Sequence, residues 1–192
     1  EASQSLIAAS DLQQLVRLSA TDGLRLVNEV TLPHPLVGPL VTVGDQVAGV
    51  QATSAGDILQ WFDAMSLQAG ASRELPGRLV AGPYATAAGC LVQTDGRLTM
   101  ISDQGDVRWS IPFAPSMLLG PPLESDGKLI VGTRTGQVVV IQGEDGQVVG
   151  THDVGQTLSS PPLLAGASLL VGSDEGAVLA IPLPKSVQEP PQ

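Results

Sequence analysis

One stretch constrains the whole chain: between Gly120 and Ile181 a forty-residue unit is written almost twice. "GPPLESDGKLIVGTRTGQVVVI" ends at Ile141 and "SPPLLAGASLLVGSDEGAVLAI" ends at Ile181. Pro121 and Pro122 recur as Pro161 and Pro162, Val131-Gly132-Thr133 as Val171-Gly172-Ser173, Gly136 as Gly176 and Val138 as Val178, without a gap. Self-similarity at a fixed period of this size is the mark of a repeat architecture, in which each unit covers its apolar faces by stacking on the next.

Carried backwards, the repeat predicts earlier units. Gly38-Pro39, Gly82-Pro83, Gly120-Pro121 and Ser160-Pro161 open units at steps of 44, 38 and 40, while Gly56, Gly96, Gly136 and Gly176 are spaced by 40 throughout. A partial unit is expected over residues 5–32, with a turn at Asp22-Gly23, then units over 39–76, 83–113 and 121–154, and a partial unit over 161–182. Hairpin turns are expected at Asp95-Gly96, Gln104-Gly105, Asp126-Gly127, Thr135-Gly136 and Asp145-Gly146, because glycine supplies the positive φ that tight hairpins need. Residues 12–18 also fit a helical leucine spacing, but the repeat phase favours a strand. The four prolines of "IPLPKSVQEPPQ" cannot continue a central strand, so residues 185–192 are expected to form a disordered tail. Each complete unit holds about four strands in about forty residues. The fold class expected is therefore all-β: a β-propeller of four-stranded antiparallel blades, with about 4–5 blades over residues 1–184.

Composition agrees and excludes other classes. The 192 residues are 43% hydrophobic and 15% charged, with 22 glycines and 15 prolines at regular intervals, so the profile is that of short apolar strands between turns and not of a disordered chain. The net charge of -10 and the scattered basic residues argue against a nucleic-acid partner. No apolar run reaches the ~18 residues of a membrane-spanning helix. The chain starts at Glu1 without a visible signal peptide, which reads as a trimmed or mature piece.

The unit resembles the repeat of the pyrroloquinoline-quinone-type (quinoprotein-type) propellers, a family of quinoprotein dehydrogenases, an outer-membrane assembly lipoprotein and many sensory or scaffold domains. Gly120-Pro121-Pro122, Val131-Gly132-Thr133 and Gly136 carry the first half of the signature, and Gly105-Asp106-Val107-Arg108-Trp109 its Gly-x-x-x-Trp blade end. The resemblance implies that Trp109 packs between blades and that the chain works outside the cytoplasm, periplasmic or secreted. It implies no enzyme: the family's dehydrogenases have eight blades, a vicinal disulfide and a calcium-bound quinone, whereas this chain has one cysteine and about half the length. The expectation is the non-enzymatic branch, with no cofactor.

The residues that could carry chemistry have structural readings. Cys90 takes the repeat place of Ile130 and Leu170, a core position. His34 and His152 lie three units apart with no partner at triad or zinc spacing. The acidic stretches at 102–106, 143–145 and 173–176 are turn sequences without the spacing of a calcium loop. Trp61, Phe113 and Met117 are the candidate partner surface, on the premise that they form an exposed apolar patch.

The first unit lacks its innermost strand and the last its outermost. The ring is therefore a five-bladed one with ragged ends, part of a larger ring with missing flanking blades, or one completed by a second chain as a homodimer. The leading function is a non-catalytic scaffold or protein-binding module. The alternative is a ligand-sensing domain of a larger extracytoplasmic protein, and the third reading is a remnant of a quinone-dependent dehydrogenase.

Overall fold

A computed structural model describes residues 5–10, 13–21, 23–113 and 116–182. The turn residue Asp22 and the expected tail over 185–192 lie outside these. The described residues form eighteen strands and no helix. They make five antiparallel sheets, each a meander in chain order.

Sheet one holds β1 (Ser5–Ser10), β2 (Gln14–Ser19) and β3 (Arg25–Thr31). Sheet two holds β4 (Leu36–Val43), β5 (Gln46–Ala52), β6 (Asp57–Asp63) and β7 (Ala69–Glu74). Sheet three holds β8 (Leu79–Thr86), β9 (Gly89–Thr94), β10 (Arg97–Ile101) and β11 (Val107–Pro112). Sheet four holds β12 (Leu123–Ser125), β13 (Lys128–Gly132), β14 (Gln137–Gln142) and β15 (Val148–Asp153), and sheet five β16 (Leu163–Ala165), β17 (Ser168–Gly172) and β18 (Val178–Pro182). In repeat phase sheet one lacks the first strand of a unit and sheet five the fourth. Residues 14–19, ambiguous by leucine spacing, are strand β2.

The evenly spaced glycines all fall in the second hairpin of a unit. Gly96, Gly136 and Gly176 have φ of +76°, +94° and +81°, the left-handed region that glycine enters at no steric cost. Gly56 does not; there the Thr53 hydroxyl closes the turn, accepting from the Ala55 and Gly56 amides at 3.2 and 3.1 Å. The Gly-Pro pairs at 38–39 and 82–83 lie inside strands. β4 begins at Leu36 and β8 at Leu79, and the pairing register slips after Val37 and around Ala81. These positive-φ glycines make bulges, so a pair that reads as an opening turn is passed through in mid-strand.

The core lies between sheets. Leu15 and Leu32 pack with Leu36, Phe62 and Leu67 between sheets one and two. Ala48, Val50, Leu59 and Trp61 meet Cys90, Val92 and Ile101 between sheets two and three. Leu91, Met100 and Trp109 meet Leu129, Val139 and Ile141 between three and four. Ile130, Val138 and Val140 meet Leu158, Leu169 and Val171 between four and five. Alternation along a strand sends neighbours to opposite faces, so Trp61 and Phe62 fill two different junctions and both are buried. The outer faces of the terminal sheets are bare: Val138 is fully buried, whereas Val178, in the same repeat place, is 73% exposed.

A carboxylate anchors the passage from sheet two to sheet three. Asp57, buried at the start of β6, accepts from Arg78 Nη1 and from the Leu79 amide, both at 2.7 Å. That orients the chain as it enters β8.

Candidate functional site

In a four-stranded meander the first and third hairpins of each unit share one end of the sheet. At that end the sheets are joined by a recurring contact: a side chain from one sheet donates to a carbonyl in the third hairpin of the next. From sheet one, Asn28 Nδ2 and Arg17 Nη1 donate to the Met65 carbonyl at 2.8 and 3.0 Å. From sheet two, Arg73 Nε donates to the Gly105 carbonyl at 2.7 Å, with Asp106 within 3.7 Å of its guanidinium. From sheet three, Trp109 Nε1 donates to the Gly143 carbonyl at 2.9 Å. The donors on the fourth strands, Asn28, Arg73 and Trp109, each follow a register slip against the third strand, at Arg17/Leu18, Gln60/Phe62 and Met100/Ile101, while Arg17 stands on the third strand beside the first slip. The bulge turns the outer strand so that its side chains reach the neighbouring hairpin.

Beside the Trp109 contact, an open cavity of about 540 Å³ lies between sheets three and four. Ala88, Met100 and Leu129 supply apolar lining, and Arg108, Glu124 and Glu144 supply charge. Two of these positions are fixed by the fold. Glu124, paired with Leu129 in the first hairpin of sheet four, accepts the Ala87 amide at 3.0 and 3.1 Å and so bridges the two sheets. Glu144 lies in the hairpin whose Gly143 carbonyl holds Trp109. The same end of the molecule carries Asp45, Asp63, Asp103, Asp106, Asp126 and Asp145 in its turns. Asp63 is held below the usual carboxylate range, first by the Ser66 hydroxyl and then by the Ser66 amide.

The three residues expected to form a partner surface do not come together as one. Trp61 is fully buried between sheets two and three, so it is not part of any surface. Phe113 is partly buried against the cluster between sheets three and four. Met117 is 39% exposed, beside the backbone bridge that leads into sheet four. The premise failed because a Trp-Phe pair in an inner sheet has a covering neighbour on both faces. Arg108 lies in the Gly-x-x-x-Trp blade end and Glu144 in the acidic turn 143–145, but neither stretch by itself points to a recess. The available signal was their adjacency to Trp109 and to the hairpin glycines.

Cys90 is buried in the junction between sheets two and three, and burial pushes its thiol up to about 12. His34 is exposed before β4, and His152 is half-buried on β15, in another sheet. Among the described residues no group of His, Cys, Asp and Glu is placed to hold a metal ion, and no helix is long and apolar enough to cross a membrane. The arrangement offers an open, mixed-charge recess, suited to hydrogen-bonded and ion-paired recognition at a sheet-to-sheet seam.

Antiparallel sheets of three or four strands, stacked in chain order with the core between neighbours, define a β-propeller. Residues 94–183 match the family described as "Outer membrane protein assembly factor BamB". Among solved structures, BamB from Moraxella catarrhalis is 18% identical with a TM-score of 0.71, over 94% of this chain and 58% of its own. BBS1N, solved in complex with ARL6DN, is 17% identical with a TM-score of 0.69, over 95% and 62%. Hsv2 from Kluyvelomyces marxianus is 11% identical with a TM-score of 0.71, over 95% and 57%. At these identities the likeness is one of fold. The chain spans about three-fifths of the length of each of these three structures. No curated protein sequence matches the chain.

Proposed function

We propose that this chain is a non-catalytic scaffold that binds a protein partner at the recess between sheets three and four. The observation that carries the reading is the recess itself, where Arg108, Glu124 and Glu144 surround an apolar lining at an open end of the stack. Charges of both signs at a rim set register and orientation of a partner, while the apolar lining supplies the buried contact. Support comes also from two proteins of like fold: one matched family is described as an outer membrane assembly factor, and BBS1N was solved in complex with ARL6DN. The first of these also supports an extracytoplasmic setting.

A photo-crosslinking residue at Glu144 tests the proposal, with the same residue at Asp95, in a second hairpin at the opposite end, as control. The expected result is one discrete protein adduct, identified by mass spectrometry, formed from position 144 only and weakened by Arg108→Glu. Equal adducts from both positions, or none from 144, would overturn it.

A cavity of about 540 Å³ also lies in the range that holds small ligands, roughly 300–1,000 Å³, so ligand sensing is the second reading. It predicts a small molecule that raises the melting temperature in the native chain and not in an Arg108→Glu variant.

A further inference from the structure

The recess between sheets three and four is polarised from wall to wall. Among its lining residues, sheet three contributes one charged side chain, Arg108. Sheet four contributes three carboxylates, Glu124, Asp126 and Glu144, against one cation, Lys128. Asp145 follows Glu144 in the same hairpin and adds to the negative side. One wall is therefore positive and the other carries a negative excess, with the apolar lining at Met100 and Leu129 between them.

The carboxylate wall is set by the fold. Glu124 accepts the Ala87 amide at 3.0 and 3.1 Å, and Asp126 accepts the Ser125 hydroxyl at 3.4 Å. These donors are uncharged, so the contacts place the carboxylates without neutralising them. Asp126 and Gly127 both have positive φ, +48° and +70°, the geometry of a tight hairpin that holds the Asp126 side chain at its tip. In an extended chain, successive side chains point to opposite sides. A segment lying along the seam thus presents alternate residues to the two walls.

We propose that the recess selects an extended peptide segment of alternating charge, with basic residues turned to sheet four and an acidic residue between them turned to Arg108. This rests on the reading of the recess as a protein-binding site and adds the charge pattern of the partner. The aliphatic stems of the basic residues cover the apolar lining at Leu129 while their heads reach the carboxylates. A block of like charges would set a basic residue against Arg108, and that repulsion is the element that rejects it.

The test uses the full chain and two dye-labelled peptides of identical composition: GSKEKSG, in which the charges alternate, and GSKKESG, in which they do not. Fluorescence anisotropy is expected to show saturable binding of the first and about five-fold weaker binding of the second. Arg108→Glu should abolish the difference between the two. Asp126→Asn with Glu144→Gln should weaken the alternating peptide by a similar factor, and asparagine tolerates the left-handed backbone at this tip. Asp174→Asn with Glu175→Gln removes the same charge from the second hairpin of sheet five, at the opposite end, and should leave binding unchanged. No saturable binding of the alternating peptide, equal binding of the two, or equal loss in both paired variants overturns the inference. None of these outcomes alters the adduct expected from position 144, so the recess as a binding site and the charge pattern of its occupant are decided separately.

Discussion

Trp109 lies against Gly146 across the junction of sheets three and four. A Cβ built on Gly146 would stand 2.7 Å from two atoms of the indole, and Gly146 has φ of +78°. The glycine is therefore required twice, by its backbone and by the ring that covers it. Gly146→Ala is expected to destabilise the chain by about 2–4 kcal/mol, read by urea unfolding. In a Trp109→Ala background the same change should cost only the left-handed strain, about 1–2 kcal/mol. Equal costs in both backgrounds would show that the two residues do not interact.

Asp57 is the buried anchor of the passage into sheet three, and Arg78 is its half-exposed partner. Solvent screens the Arg78 ion pair, so most of the anchor's value lies in the hydrogen bond from the Leu79 amide. Asp57→Ala leaves the Leu79 amide without its acceptor and is expected to cost about 2–3 kcal/mol. Asp57→Asn, which keeps one acceptor oxygen, should cost less. Denaturant midpoints of the two variants decide the order.

Cys90 should be chemically silent while the chain is folded. Its burial and raised pKa leave almost no thiolate at mildly alkaline pH. An aromatic disulfide reagent is expected to react only at the rate of unfolding, and fully in denaturant. Rapid labelling of the native chain would show that the junction between sheets two and three opens.

Acid should loosen the hairpin that carries Met65. Asp63 accepts from the Ser66 hydroxyl and amide, both at 2.7 Å, and from the Met65 amide at 3.2 Å. These bonds hold its folded pKa below the ordinary value of 3.8. A lowered folded pKa contributes stability above the ordinary value that is lost as pH falls through the lowered one. The melting temperature of the native chain should therefore fall more steeply over that acid window than that of Asp63→Asn, with parallel curves at neutral pH.

Much of this fold was legible in the sequence, because the repeat period is written in residues with strong local meaning. The Asp-Gly and Thr-Gly hairpins are where the glycines are, and the missing strand at each end follows from the phase of the repeat. Legibility failed where the cause was tertiary. Gly38 and Gly82 read as opening turns, but each bulges a strand already under way. Trp61 read as a surface residue, but its neighbours on both faces come from other sheets. The contacts of Arg17, Asn28 and Arg73 end on backbone carbonyls, and a carbonyl acceptor leaves no trace in residue type.

Each of those carbonyl contacts runs forward, from a sheet to its successor. Four donors, an amide and a guanidinium together, a second guanidinium and an indole, serve three successive junctions. The molecule is thus a line of nearest-neighbour couplings whose strengths are set separately. Removing one donor weakens its own junction, whose apolar core remains, and leaves the other junctions intact. One seam can therefore be altered without the next, by exchanging a side chain against a fixed backbone acceptor.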